Sequence, residues 1–79
     1  MTQRQKVSIT MRALIQRINR KLREHDEVLK AIRGERWRAE YGDYYVLNCA
    51  RNYVTEMHVD PEKLGRELKV MQDWEVLAE

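Results

Sequence analysis

Arg36-Trp37-Arg38 sets an indole between two guanidinium groups, and His58-Val59-Asp60 sets an imidazole two residues from a carboxylate. An aromatic ring flanked by cations suits a stacked, unpaired base with its phosphates, because the ring face accepts any base and guanidinium groups pair with phosphate oxygens. The competing use of such a tryptophan, the commoner one in a small domain, is to plug the core. His58 and Asp60 fall on the same face of an extended segment. Asp60 has another use there, as the cap of the helix that follows.

Other chemistry finds little to build on. His25 and His58 are the only histidines and Cys49 is the only thiol, so no pair shows the short spacing of a zinc site, and no metal or cofactor is expected. Ser8 is the sole serine and has no nucleophile elbow around it. With three glycines, Gly34, Gly42 and Gly65, neither a phosphate loop nor a dinucleotide fingerprint can be written. No catalytic residue is therefore assigned, and a non-enzymatic role is expected. The lone cysteine rules out an intramolecular disulfide and suits a reducing compartment; it is expected to face inward as a small hydrophobe.

Charge carries more information. Residues 1–38 contain eleven Lys or Arg against four Asp or Glu, a balance of +7, whereas residues 39–79 contain four against nine, a balance of −5. Such polarity points to an anionic partner or to attraction between the halves. Much of the positive charge lies in a segment without any carboxylate between Met11 and Arg23. There Met11, Leu14, Ile15, Ile18 and Leu22 recur at spacings of three and four, which defines an amphipathic helix capped by Thr10 and ending near His25. Arg12, Gln16, Arg20 and Arg23 then project opposite the apolar stripe, with Arg17 and Lys21 nearby. The expected nucleic-acid contacts are Arg12, Arg17, Arg20, Lys21 and Arg23 on this helix, with Arg36, Trp37 and Arg38 further along. Lys30 and Arg33 would assist, and Trp37 or Tyr44 would stack on bases. The plainer alternatives are a solvated face and pairing with the acidic half.

The elements that must position these residues follow from period and punctuation. Residues 44–49 and 53–59 are rich in aromatic and β-branched side chains and read as a hairpin. Ala50-Arg51-Asn52 would form a three-residue loop with Asn52 left-handed. That register sets Cys49 against Tyr53, Leu47 against Thr55 and Tyr45 against Met57. It leaves Tyr44, Val46, Asn48, Val54, Glu56 and His58 outward. Asp60, Pro61 and Glu62 form a strong helix start, stapled by Val59 and Leu64, and Gly65 marks close packing against the sheet or another backbone. Residues 28–32 fit a third strand or a continuation of the first helix, with the strand favoured. Residues 35–41 fit a connecting strand, an irregular crossing or one helical turn. Outward Tyr44, Val46 and Val54, together with Trp74 and Leu77, form the expected interaction surface of a homodimer or adaptor; the alternative for Trp74 and Leu77 is to close the core.

Seventy-nine residues make one small domain, 1–79, with residues 1–7 loose. A chain of this size buries only about 60–65% of its unfolded surface, which keeps oligomerisation in view. No segment has the length of a membrane span and no apolar run follows the first charges, so a soluble, cytoplasmic protein is expected. The fold class is α+β: helix, two- or three-stranded antiparallel sheet, helix, with both helices on one face of the sheet.

Arg12-Ala-Leu-Ile-Gln-Arg-Ile-Asn-Arg-Lys-Leu22 and His58-Val-Asp-Pro-Glu-Lys-Leu-Gly-Arg-Glu-Leu68 resemble segments of small bacterial proteins, some of them phage- or plasmid-borne, that carry no assigned function. The resemblance implies no site residue. The order of elements is similar to that of the double-stranded RNA-binding domain, which reads A-form grooves partly through a basic start of its second helix. Asp60-Pro61-Glu62-Lys63 is acidic at that place, so the similarity extends to topology alone. Two function classes remain: nucleic-acid binding through the basic first helix, or a protein-interaction module.

Overall fold

The computed structural model describes residues 6–78. The described elements run β1 (Val7–Ile9), α1 (Met11–Leu22), a 3-10 turn (Arg23–His25), β2 (Glu27–Ala31), α2 (Glu35–Tyr41), β3 (Tyr44–Asn48), β4 (Tyr53–Glu56), α3 (Pro61–Glu67) and β5 (Glu75–Leu77). The fold is mixed α+β around a three-stranded antiparallel sheet of order β2-β3-β4. It departs from the expected helix-sheet-helix order by an added helix, α2, and by two terminal strands. Of the seven residues expected to be loose, 1–5 lie outside the described residues, whereas Val7 opens β1.

The apolar stripe of α1 builds the core. Thr10 Oγ1 accepts the Ala13 amide at 3.0 Å, satisfying a first-turn donor that has no partner within the helix. Leu14 and Ile18 are fully buried and Leu22 nearly so, and they meet Leu29 of β2, Val46 of β3, Ile9 and Met71. The helix ends where Asp26 adopts a left-handed conformation, φ 59°, and turns the chain into β2. Asn19 then fixes helix to strand: its Oδ1 accepts the Leu29 amide at 2.7 Å, occupying main-chain capacity that β3 does not use.

The hairpin differs from its expected register. Asn48 pairs with Tyr53 and Leu47 with Val54, and an irregularity follows before Val46 pairs with Glu56. Four residues, 49–52, therefore make the connection. Asn48 Oδ1 takes the Arg51 amide at 2.8 Å and Asn52 is left-handed at φ 57°. Period-2 alternation means that changing the face assignment by one residue exchanges every side chain. Val46, 3% exposed, faces the core and Tyr44 packs against it, whereas Cys49 is exposed. Tyr-Tyr-Val-Leu is apolar at every position, so period alone could not choose the inner face.

α3 follows its signals. Asp60 Oδ1 accepts the Glu62 amide at 3.0 Å, Pro61 sits in the first turn, and Lys69, φ 62°, lies beyond the end. Gly65 is buried because α3 crosses α1 closely: a Cβ there would stand 2.7 Å from Leu14 Cδ1. The close neighbour is thus a side chain of α1. β1 and β5 pair in parallel, Val7 with Glu75 through Ile9 with Leu77. Leu77 and Ile9 close the core from this side.

The extents are 49 × 29 × 16 Å, so the thin dimension holds a helix layer and a sheet layer and little more. α1 covers the sheet face that carries Leu29 and Val46, whose partnership in the register places them on the same side. α2 reaches the other face through Tyr41, whose ring lies 5.9 Å from that of Tyr45. The expectation that both helices of the fold share one face thus misses α2, which has no buried residue. No helix among the described residues is long and apolar enough to cross a membrane.

Candidate functional site

Three of the cations assigned to α1 stand in solvent. Arg12, Arg20 and Arg23, with Gln16 between them, are exposed, and none of the three arginine side chains makes an ion pair among the described residues. They share one quadrant because positions four and three apart superpose at 100° per residue. The packed stripe on the other side of the helix anchors them, so the backbone under these side chains is rigid. Arg17, Arg20, Lys21, Glu24 and Val70 border a shallow groove of about 280 Å³ beside them.

Arg17 and Lys21 are used differently. Lys21 pairs with Glu24 at 3.5 Å, both side chains half in water. Arg17 turns inward: its Nη1 donates to Glu75 Oε1 at 2.8 Å, to Oε2 at 2.9 Å and to the Val70 carbonyl at 3.1 Å. Glu75, the buried end of β5, also accepts the Gln72 amide at 2.8 Å. Hydrogen bonds from Arg17 and from that amide hold its carboxyl below the ordinary glutamate value, and the Arg17 guanidinium is correspondingly held protonated. Arg66 reaches the Glu75 carbonyl at 3.1 Å. Arg17 is thus a structural tie between α1 and the chain's last strand, and it leaves the set of nucleic-acid contacts.

Arg36, Trp37 and Arg38 lie with the other sheet face and do not join the α1 arginines in one surface. Trp37 is 44% exposed, which corrects the core-plug alternative. Arg36 lies over its ring, 5.2 Å from the centroid, and Arg38 pairs with Asp43 at 3.2 Å. Trp37 and Tyr41, one helical turn apart, approach to 6.0 Å, and Tyr41 meets Tyr45 at 5.9 Å. With Ile32, Leu47 and Val54 they line an open groove of about 380 Å³. Tyr41 and Tyr45 were missed as site residues. The i, i+4 spacing of Trp37 and Tyr41 was their signal, legible only if residues 35–41 are read as helix.

The expected interaction surface is largely taken apart. Val46 is core, Tyr44 and Leu77 pack on it, and Trp74 is half-buried with its carbonyl accepting the Val7 amide at 2.8 Å. For Tyr44 and Val46 the difference is the inverted face of β3, whereas Leu77 takes the core-closing alternative. Val54 keeps its outward place, on the groove wall.

His58 is left-handed, φ 55°, and sits against Gly42, where a Cβ would lie 2.8 Å from His58 Cα; its amide donates to the Tyr41 carbonyl at 2.7 Å. It serves the corner between β4 and α3. Glu56, His58, Asp60 and Glu67 share a groove of mainly acidic character with Lys63. Among the described residues, no group of three or more His, Cys, Asp or Glu side chains is disposed to hold a metal ion.

Compared with protein-family models, with curated proteins and with solved structures, the chain finds no match in any of the three.

Proposed function

We propose that the protein is a non-enzymatic nucleic-acid-binding module whose primary phosphate contacts are Arg12, Arg20 and Arg23 of α1. One observation carries this reading. The fold brings a carboxylate of the acidic half to α1 at Arg17 and leaves three neighbouring arginines in water without an ion pair among the described residues, on a helix that carries no carboxylate of its own between Met11 and Arg23. Neutralisation between the halves is therefore local, and the remaining positive stripe suits a polyanion. Gln16, within the stripe, supplies a neutral donor for a phosphate or sugar oxygen.

Binding of labelled single- and double-stranded DNA and RNA, measured by anisotropy across a salt series, tests the reading. Log affinity should fall linearly with log salt. Changing Arg12, Arg20 and Arg23 together to alanine should flatten the slope by about 0.7–0.9 for each lost contact. Absence of binding to any of these probes at low salt overturns the proposal.

The open groove beside Tyr45 favours a second reading, a homodimer or adaptor that docks through apolar contact. Light scattering over a concentration series decides it: a chain that stays monomeric at high concentration removes the homodimer.

A further inference from the structure

Part of the outer face of the three-stranded sheet lies under α2, which reaches over it through Tyr41 and leaves an open groove beside it. The face has an aromatic row and a cationic margin. Its rings run from Trp37 at the surface of α2 through Tyr41 to Tyr45 on the central strand, at centroid separations of 6.0 and 5.9 Å. Lys30 stands beside Tyr45 on the same face, since the two are register partners, and it is exposed. Between Val28 and Arg38 the chain carries four cations against one carboxylate. Asp43 engages Arg38, and Arg36 lies over the Trp37 indole with no carboxylate bound to it among the described residues.

We infer that this face is a stacking platform for the unpaired bases of a single-stranded nucleic acid, with Trp37 the outermost ring and Arg36 and Lys30 the adjacent phosphate contacts. This rests on the nucleic-acid reading above and adds the strandedness of the ligand. Flat aromatic rings accept any base by its π-face; with Arg36 over one face of the Trp37 indole, the base takes the opposite face and the guanidinium stays within reach of its phosphate. A duplex hides those faces in its own stack and cannot use the groove. Charge favours this polyanion over the apolar second copy considered above, because a two-fold axis through the groove would bring Lys30 and Arg36 toward their own duplicates.

The test uses the full chain with oligothymidylate, oligouridylate and a duplex of matched length, by anisotropy and by tryptophan fluorescence. Single strands should quench the emission of Trp37. Trp37→Ala, at an exposed position, should weaken single-strand binding about 5- to 150-fold, the worth of one stacked base, while duplex binding stays unchanged. Trp37→Phe should restore most of the loss, and unchanged circular dichroism shows that the fold persists. If Trp37→Ala leaves single-strand affinity unchanged, or weakens duplex binding equally, the platform is overturned while the arginine stripe of α1 stands. If the wild-type chain binds neither form at low salt, both readings fall; if it dimerises with loss of Trp37 exposure, the face belongs to a second copy.

Discussion

α1 and α2 both carry arginines, yet they stand in opposite relation to the core. α1 spends its apolar stripe inward, with Leu14 and Ile18 wholly buried, and presents arginine to water. α2 buries no residue at all and presents Trp37 over an open groove. Composition is the reason rather than length: α2 carries four charged residues in seven and no aliphatic side chain larger than alanine, whereas α3, of the same length, packs on α1 and buries Pro61 and Gly65. The difference teaches where stability and adaptability reside. The cations of α1 ride on the core, while the aromatic row of α2 is held mainly by ring contacts and by the Gly42 corner.

Substitutions can sharpen or break that contrast. The largest effect is expected at Leu14→Ala, which should cost about 3–5 kcal/mol in urea denaturation, enough to leave so small a domain near unfolding. Gly65→Ala in that background should recover part of the loss, because the new methyl points into the vacated space. A loss under 1 kcal/mol would place the core elsewhere.

Glu75→Gln comes next and is read through pH. The folded glutamate has a lowered pKa, so its pairing stabilises the protein above the unfolded glutamate value and is lost as pH falls through the folded one. The wild-type unfolding midpoint should therefore decline more steeply than that of Glu75→Gln as pH falls below the ordinary glutamate range. Parallel profiles would detach Arg17 from the role of tie.

Asn19→Ala should cost about 1–2 kcal/mol by leaving the Leu29 amide without its acceptor, again read by urea denaturation. Trp37→Ala should change stability by only about 0.5–1.5 kcal/mol, the worth of its ring contact with Tyr41 on a helix that buries no residue. A large loss there would erase the distinction between the two helices.

Local signals account for much of this molecule. The Thr10 and Asp60 caps, the α1 stripe, the left-handed Asn52 and the third strand near residues 28–32 are all legible because each depends on neighbours within a few positions. The exposed arginines at positions 12, 20 and 23 follow from the same periodicity. What the tertiary structure alone decided is which of two apolar faces of Tyr-Tyr-Val-Leu turns inward, that Arg17 of all the α1 cations meets a carboxylate fifty-eight residues away, and that residues 35–41 cross to the opposite side. Each of those outcomes depends on contacts between segments distant in the chain. A hydrophobic pattern can state that burial is wanted without stating against what.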